Sequence, residues 1–307
     1  MSETGIVLFV YQRPDHTRRV LDGLRRNDID ELYVFADGPT QDDDHARIQE
    51  VREVVDSIDW CRTNVVERSE NWGLAENTVD GLNRMFSNHD RVIMLEDDDV
   101  PAPDFVDFME QCFDEYEDDD HVMSVTGYSP PLSLPKDYPH DVFFTYRDTT
   151  WGWGTWKGAW TQYDRRPDEL RKVIEAEGNR LRSDLDKAGR DLYPMLQNQL
   201  AGETDSWSVW WALTIVQNGG ICVNPVESRI RNIGHDGTGI HCNDTDKFDV
   251  EVRGDRETGD LTFPPSAEID PEINKLYNDF HRPDRWTMTK RHLGDALERV
   301  GLLDYVQ

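Results

Sequence analysis

The stretch that decides the fold runs Val92-Ile93-Met94-Leu95-Glu96-Asp97-Asp98-Asp99 and continues through Pro101 to Pro103-Asp104-Phe105. Four consecutive apolar residues have the length of a buried central strand, and Pro101, Pro103 and Phe105 open a helix right after it. Four carboxylates stand at the end of that strand. Acidic residues make up about a fifth of the chain, so a run of four arises by chance in roughly every second sequence of this length. Asp42-Asp43-Asp44 and Asp118-Asp119-Asp120 read as such solvated charge. Position sets 96–99 apart. Carboxylates crowded at the end of a buried strand repel one another until a cation neutralises them, and a hard divalent ion held by one or two carboxylates keeps positions open for phosphate oxygens. An exposed acidic turn is the competing reading.

Outward from this point, short apolar runs alternate with helical patterns: Ile6 to Tyr11, Pro14 to Arg26, Leu32 to Ala36, a polar helix ending at Ile58, Thr63 to Glu67, Leu74 to Phe86 and Arg91 to Leu95. The rhythm continues with a helix from Pro103 to Tyr116 and a run at Val122 to Thr126. Strands alternating with helices predict an α/β fold, a mostly parallel sheet flanked by helices. Ligands of such sheets sit beyond the carboxyl ends of the strands. The residues there are Tyr11-Gln12-Arg13-Pro14, Asp37-Gly38-Pro39, Glu70-Asn71-Trp72-Gly73 and the acidic run itself.

From Gly127 onward the chain turns Pro-rich and aromatic, with Trp151-Gly152-Trp153-Gly154-Thr155-Trp156 as its densest segment. Helices are expected between Pro167 and Leu200 and from Trp207 to Asn218, then a strand at Ile221 to Asn224 and a glycine-bearing loop from Asn232 to His241. Beyond Asp244 the chain is polar, with a last amphipathic helix expected around Thr289 to Val300.

Among 307 residues, 33 Lys+Arg stand against 62 Asp+Glu, a formal net charge of -29 that excludes nucleic acid as a partner of the bulk surface. The basic residues are 7 Lys and 26 Arg, with no Lys before Lys136, and the acid is spread along the whole chain. A dense carboxylate shell suits a protein bathed in molar salt, where repulsion is screened within a few ångströms, so a halophilic, cytoplasmic protein is expected. No run of 18 apolar residues and no basic, apolar leader occurs in the sequence. Cys61, Cys112, Cys222 and Cys242 lack a Cys-x-x-Cys spacing, which indicates neither a disulfide framework nor a zinc site.

Taken with the residues quoted above, the sequence resembles the GT-A glycosyltransferases. Within them it is similar to the N-acetylglucosaminyltransferase of complex N-glycan assembly and to family-2-like prokaryotic sugar transferases. The resemblance implies a Rossmann-like GT-A sheet with an acceptor-side α+β half: residues 1–126 as the nucleotide-sugar-binding half, 127–245 as the acceptor-binding and catalytic half, and 246–307 as a C-terminal extension. It implies that Asp98 binds Mn²⁺ or Mg²⁺ directly, while Glu96 and Asp97 face the ribose and the sugar. Asp99 stands where relatives often carry an apolar residue, so which of Asp97, Asp98 and Asp99 faces the ion stays open, with His241 a further ligand candidate. Arg13 resembles the arginine near the nucleotide, Asp37 the aspartate that reads the uracil edge, and Trp72-Gly73-Leu74 the stretch beside the base. Asp205-Ser206-Trp207 resembles the segment with the catalytic base, Asp205. Pro225 to His241, with His235 and Gly237, is similar to the loop that closes over the diphosphate.

Trp151, Trp153 and Trp207 are expected at the acceptor or sugar, against core packing as the bland alternative. Arg13 could instead pair with Asp15, the histidines could be incidental, and Asp205 could be a helix N-cap. The implied activity is metal-dependent, inverting transfer of a hexosyl or N-acetylhexosaminyl group from a nucleotide-diphosphate sugar, UDP-linked, to a glycan or lipid-linked glycan, with peripheral membrane association through the acceptor. A sugar nucleotidyltransferase would want a glycine-rich phosphate loop where Tyr11-Gln12-Arg13-Pro14 stands. A non-catalytic carbohydrate- or calcium-binding protein would not explain why Arg13, Asp37 and the acidic run share one edge.

Overall fold

The computed structural model describes residues 4–40, 45–237, 245–252 and 259–282. Strand β1 (Thr4–Val10) is buried over six of its seven residues because helices cover both faces of the sheet. In helix α1 (Pro14–Leu24), Pro14 sits in the first turn, where a missing N–H leaves no hydrogen bond unmade, and Thr17, Val20, Leu21 and Leu24 form one buried stripe. A short 3-10 turn and Asp28, at φ 49°, end it. The alternation continues through β2 (Glu31–Ala36), α2 (His45–Asp56), β3 (Arg62–Glu67), α3 (Leu74–Met85), β4 (Arg91–Glu96), β5 (Asp99–Pro101), α4 (Phe105–Glu115) and β6 (Val122–Thr126). The second half contains β7 (Val142–Thr145), β8 (Trp153–Trp156), α5 (Lys157–Trp160), α6 (Pro167–Ala188), α7 (Leu192–Ala201), α8 (Trp207–Gln217), β9 (Ile221–Pro225), β10 (Ile230–Asn232) and α9 (Pro271–Phe280).

One eight-stranded sheet runs in the order β3-β2-β1-β4-β8-β6-β9-β7, and β5 pairs with β10 in a separate two-stranded ladder. Strands β8 and β7 run against their neighbours, so the sheet is mostly parallel, as expected. It is continuous across residue 126, which makes 1–126 and the segment after it two parts of one layered unit. Side chains of β1 alternate: Ile6, Leu8 and Val10 join the core under α1, α2 and α4, while Val7 and Phe9 join that under α3, α5 and α8. Among the described residues no helix is long and apolar enough to cross a membrane. The helix expected at Thr289 to Val300 lies outside the described residues.

The tryptophan segment is a strand at the centre of the sheet. β8 inserts between β4 and β6, and Gly154 lets it: a Cβ there would stand 2.6 Å from the Phe113 ring and 2.6 Å from the Val92 carbonyl oxygen. Trp153 projects into the α8 side, where its ring stacks on Trp207 at 5.3 Å and meets Trp211 at 5.7 Å. Each buried indole removes roughly 200 Å² from water, about 5 kcal/mol of gross stabilisation.

Candidate active site

Strands β1 to β4 are parallel and deliver their carboxyl ends to one edge. Helix α8 leads into β9, which is parallel to β6 and therefore to β4, so the N-terminus of α8 lies at the same edge. The N-termini of α1, α3 and α8 thus converge there, each with the partial positive charge of its unpaired N–H groups.

Asp97 and Asp98 form the two-residue turn between β4 and β5. Arg13, from the β1–α1 turn, donates to Asp97 Oδ1 and lies 3.0 Å from Asp98 Oδ2. The surface pairing of Arg13 with Asp15 does not form; Arg18 takes Asp15 instead, at 2.8 Å. Burial works against the Arg13 charge, but the two carboxylates outweigh it and raise the guanidinium above its ordinary value. Burial, followed by the charges of Asp98, Asp99 and Asp97, pushes the Glu96 carboxyl well up, and burial raises Asp97 despite Arg13. One guanidinium does not balance this group. Asp97 Oδ2 and Asp98 Oδ1 are buried without a hydrogen-bond partner. Two orphaned carboxylate oxygens on adjacent residues fit a hard divalent cation that phosphate would help to coordinate. Among the described residues no group of three or more His, Cys, Asp or Glu is placed to hold a metal ion by itself.

Asp99, expected as a possible ligand, is occupied otherwise. Its Oδ2 accepts from the Glu96 N–H at 3.1 Å and the Gly152 N–H at 3.0 Å, and its Oδ1 from Asn232 Nδ2 at 3.1 Å. Burial, with the Asp98 charge adding to it, pushes its carboxyl up to about 8. Three neutral donors fix Asp99 as the fastener between β4, β8 and β10, a correction to its reading as a cation ligand.

The loop after β10 lies directly on the acidic turn. Ile233 N–H donates to the Asp98 carbonyl at 2.9 Å, and a Cβ on Gly234 would fall 1.9 Å from Asp98 Oδ2. Only glycine fits there while Asp98 keeps its place. His235 packs against Trp151 (5.2 Å) and Phe248 (4.8 Å), and its Nδ1 lies 3.1 Å from Asn232 Oδ1. Burial lowers the His235 pKa, with Asp98 opposing. Gly237 has φ 81°, and His241 lies outside the described residues. His16 was not anticipated: its Nε2 sits 3.2 Å from the Ile233 carbonyl and 3.3 Å from Asp236 Oδ2. His16 stands in the first turn of α1, three residues after the N-cap residue Arg13, so both come from the β1–α1 junction that the sequence did place at this edge.

At the ends of β2 and β3, Asp37 accepts from the N–H groups of Gly38, Trp72 and Gly73 and from Asn71 Nδ2, at 2.8 to 3.2 Å. Those four bonds use the acceptor sites of a carboxylate, so Asp37 shapes the 71–73 loop and has no site left for a base edge. Trp72 lies over the Arg68 guanidinium at 3.9 Å with 41 % of its surface exposed. Arg68, another unanticipated residue, is buried and donates to Asn77 at 3.0 Å and to Asp80.

Asp205 precedes α8 and is 61 % exposed. Ser206 occupies the N-cap position, so the capping alternative for Asp205 does not hold. Arg165 donates to Asp205 Oδ1 and to Glu76 Oε1, the latter at 2.8 Å, joining the first turn of α3 to the start of α8. Trp153 and Trp207 are each 1 % exposed. Indoles covered on both sides by protein cannot stack on a sugar, which corrects the acceptor-side expectation for both. Trp151 is half-buried and braces His235 edge-on.

Comparison with known proteins adds the following. A mannosyltransferase from Pyrobaculum calidifontis, in complex with GDP-Man and Mn²⁺, is 13% identical with a TM-score of 0.38, covering 71% of this chain and 74% of its own. A 4-diphosphocytidyl-2C-methyl-D-erythritol synthase from Anaerococcus prevotii is 11% identical with a TM-score of 0.37, covering 74% of this chain and 89% of its own. A search of curated proteins finds no match. The sequence profile of Glycosyl transferase family 2 matches residues 5–180, more than half of the chain, from β1 and Arg13 through the acidic turn and the tryptophan strand into α6. By that match the chain belongs to glycosyl transferase family 2 and is a GT-A glycosyltransferase that uses a nucleotide sugar.

Proposed function

We propose that this chain moves a hexosyl or N-acetylhexosaminyl group from a UDP-linked sugar to a hydroxyl of a glycan or lipid-linked glycan, with Mn²⁺ or Mg²⁺ as cofactor and inversion at the anomeric carbon. The observation that carries this reading is the pair of orphaned, buried oxygens, Asp97 Oδ2 and Asp98 Oδ1, held beside Arg13 where the helix N-termini converge. Asp98 is the principal ligand in this reading, with Asp97 beside it and His235 or His241 as the loop's contribution. A divalent ion bound there supplies charge neutralisation for the departing diphosphate.

The chain's own residues do the rest. Arg13 offsets the mutual repulsion of Asp97 and Asp98 and keeps them at a fixed spacing before a donor arrives. Trp72, stiffened from below by Arg68, offers its indole to a nucleobase, and Asp37 holds the loop that presents it. Asp205 takes the proton of the acceptor hydroxyl as that oxygen bonds to the anomeric carbon. The bond to the diphosphate breaks on the opposite side, and its electron pair leaves with the diphosphate. Arg165 engages Oδ1 of Asp205, so Oδ2 is the atom for the acceptor. One displacement inverts the configuration.

Hydrolysis and transfer of UDP- and GDP-sugars with and without Mn²⁺, with the product anomer read by NMR, test this. Metal-dependent turnover of a UDP-sugar and an inverted product are expected. Turnover unaffected by chelation would remove the metal from the reading, and a retained anomer would remove the single displacement.

A further inference from the structure

The contacts of Asp99 and Asn232 form a directional chain whose last member is a histidine. Asp99 is fully buried and Asn232 is 7 % exposed, so water does not compete for their bonds. Asp99 Oδ1 lies 3.1 Å from Asn232 Nδ2. The Gly234 backbone N–H, which can only donate, meets the other end of the Asn232 amide at 2.9 Å, and this bond settles that end as the oxygen. The same oxygen lies 3.1 Å from His235 Nδ1. An amide oxygen has lone pairs and no proton, so the hydrogen of the second contact belongs to the imidazole. A neutral imidazole with Nδ1 protonated carries its lone pair on Nε2.

Aromatic packing does not make this selection. Trp151 and Phe248 fix the plane of the His235 ring, but a half-turn of the ring within that plane leaves both contacts nearly unchanged. The hydrogen bond to Asn232 distinguishes the two orientations. Asp99 can act as the fixed point because its Oδ2 is held by the N–H groups of Glu96 and Gly152, which belong to the end of β4 and the approach to β8.

We infer that Asp99 and Asn232 are positioning residues that hold the His235 imidazole in one orientation and one tautomer, with Nδ1–H bonded to the Asn232 oxygen and Nε2 left as the basic nitrogen. The use of Nε2 toward a divalent ion or the diphosphate rests on the proposed function; the orientation itself does not. Residues one layer behind a ligand typically change metal affinity by 10–100-fold when removed.

The test uses the full chain without metal, its histidines labelled with ¹⁵N, in molar KCl at pH 7.5, with the His235 signals assigned from a His235→Gln variant. The wild-type ring should show Nδ1 protonated and Nε2 bare. In Asn232→Leu the Nε2–H form should appear and affinity for Mn²⁺ alone, titrated calorimetrically, should fall about 10–100-fold. Asn232→Asp keeps an acceptor opposite Nδ1 and should retain the wild-type tautomer. A wild-type ring protonated on Nε2 overturns the inference without any variant. A tautomer unchanged in a folded Asn232→Leu protein overturns it as well. If the wild type shows the stated tautomer yet binds no Mn²⁺, the orientation stands and the metal-dependent reading of the site falls.

Discussion

The two oxygens of Asp98 have different neighbours: Oδ2 lies 3.0 Å from Arg13, and Oδ1 is buried with no partner. Asp98→Asn keeps the shape and removes the charge, so the fold should survive while Mn²⁺-dependent donor binding falls at least tenfold, measured by calorimetry with UDP. Unchanged affinity would move the ligand to Asp97, because Asp99 is tied up by three N–H donors. At Asp205 the expectation is a separation of binding from chemistry. Asp205→Asn should lose transfer by roughly 10²-fold or more while donor affinity stays near normal, since the group acts mainly in the transition state. Full transfer activity in that variant would sink the assignment. That the acidic turn and Arg13 share one edge of the sheet was legible in the sequence, because strand-end position can be read from the alternation of runs. The sequence did not show that Asp37 and Asp99 spend their oxygens on backbone N–H groups, since hydrogen-bond partners distant in the chain, such as Asn232 for Asp99, leave no local pattern.

Among the elements, those with a clear period were legible and the short ones were not. β1, β2, β4, α1, α3, α4 and α8 carry either a continuous apolar run or a helical stripe, and each was anticipated within a few residues. β5, β7, β8 and β10 have only three or four residues, too few for any period to register, and tertiary pairing alone makes them strands. β8 misled most, since a Trp-Gly-Thr-Trp segment looks like a binding platform until β4 and β6 close on both of its edges. The connection from β7 to β8 carries a testable consequence. Asp148 is buried there, and burial pushes its carboxyl up to about 7, with the Arg147 charge opposing. Arg147 itself is held by Asp191 at 2.7 and 2.9 Å. An acid whose pKa is raised by folding holds its proton in the native state between its unfolded value, about 4, and its folded one. Stability is therefore lost as pH rises through that window, at up to about 1.4 kcal/mol per unit, and the loss is complete above the folded pKa. Asp148→Asn cannot titrate, so urea melts from pH 5 to pH 8 should show the variant gaining on the wild type as pH rises. A stability difference that stays flat with pH would show that Asp148 is not buried as a neutral acid.

For the whole molecule, the net charge of -29 sets the scale of the argument. A sphere of about 25 Å radius, which suits a chain of this length, gives that charge a self-repulsion in water of about 70 kcal/mol by Coulomb's law. Folded stability is typically only about 5–15 kcal/mol, so even a small fraction of that repulsion decides whether the chain folds. The Debye length is about 10 Å at 0.1 M salt and about 3 Å at 1 M, which reduces the repulsion several-fold. Cooperative folding should therefore require KCl near the molar range, and sucrose, which stabilises without screening, should not replace it. A cooperative melt in dilute buffer would refute this. The same charge acts on the donor. A nucleotide-diphosphate sugar is an anion approaching an acidic protein, and in the proposed reading a local patch, Arg13 with the helix N-termini and the divalent ion it would share, attracts it. Salt screens the distant repulsion first, while the buried pair contacts are screened much less. kcat/KM for the donor should thus rise with KCl even above the concentration at which folding is complete, the reverse of an enzyme that draws anions into a basic cleft. Steady-state kinetics between 1 and 4 M KCl, with folding followed by circular dichroism on the same samples, measure it, and a kcat/KM that falls with salt over that range would mean that local attraction dominates donor capture.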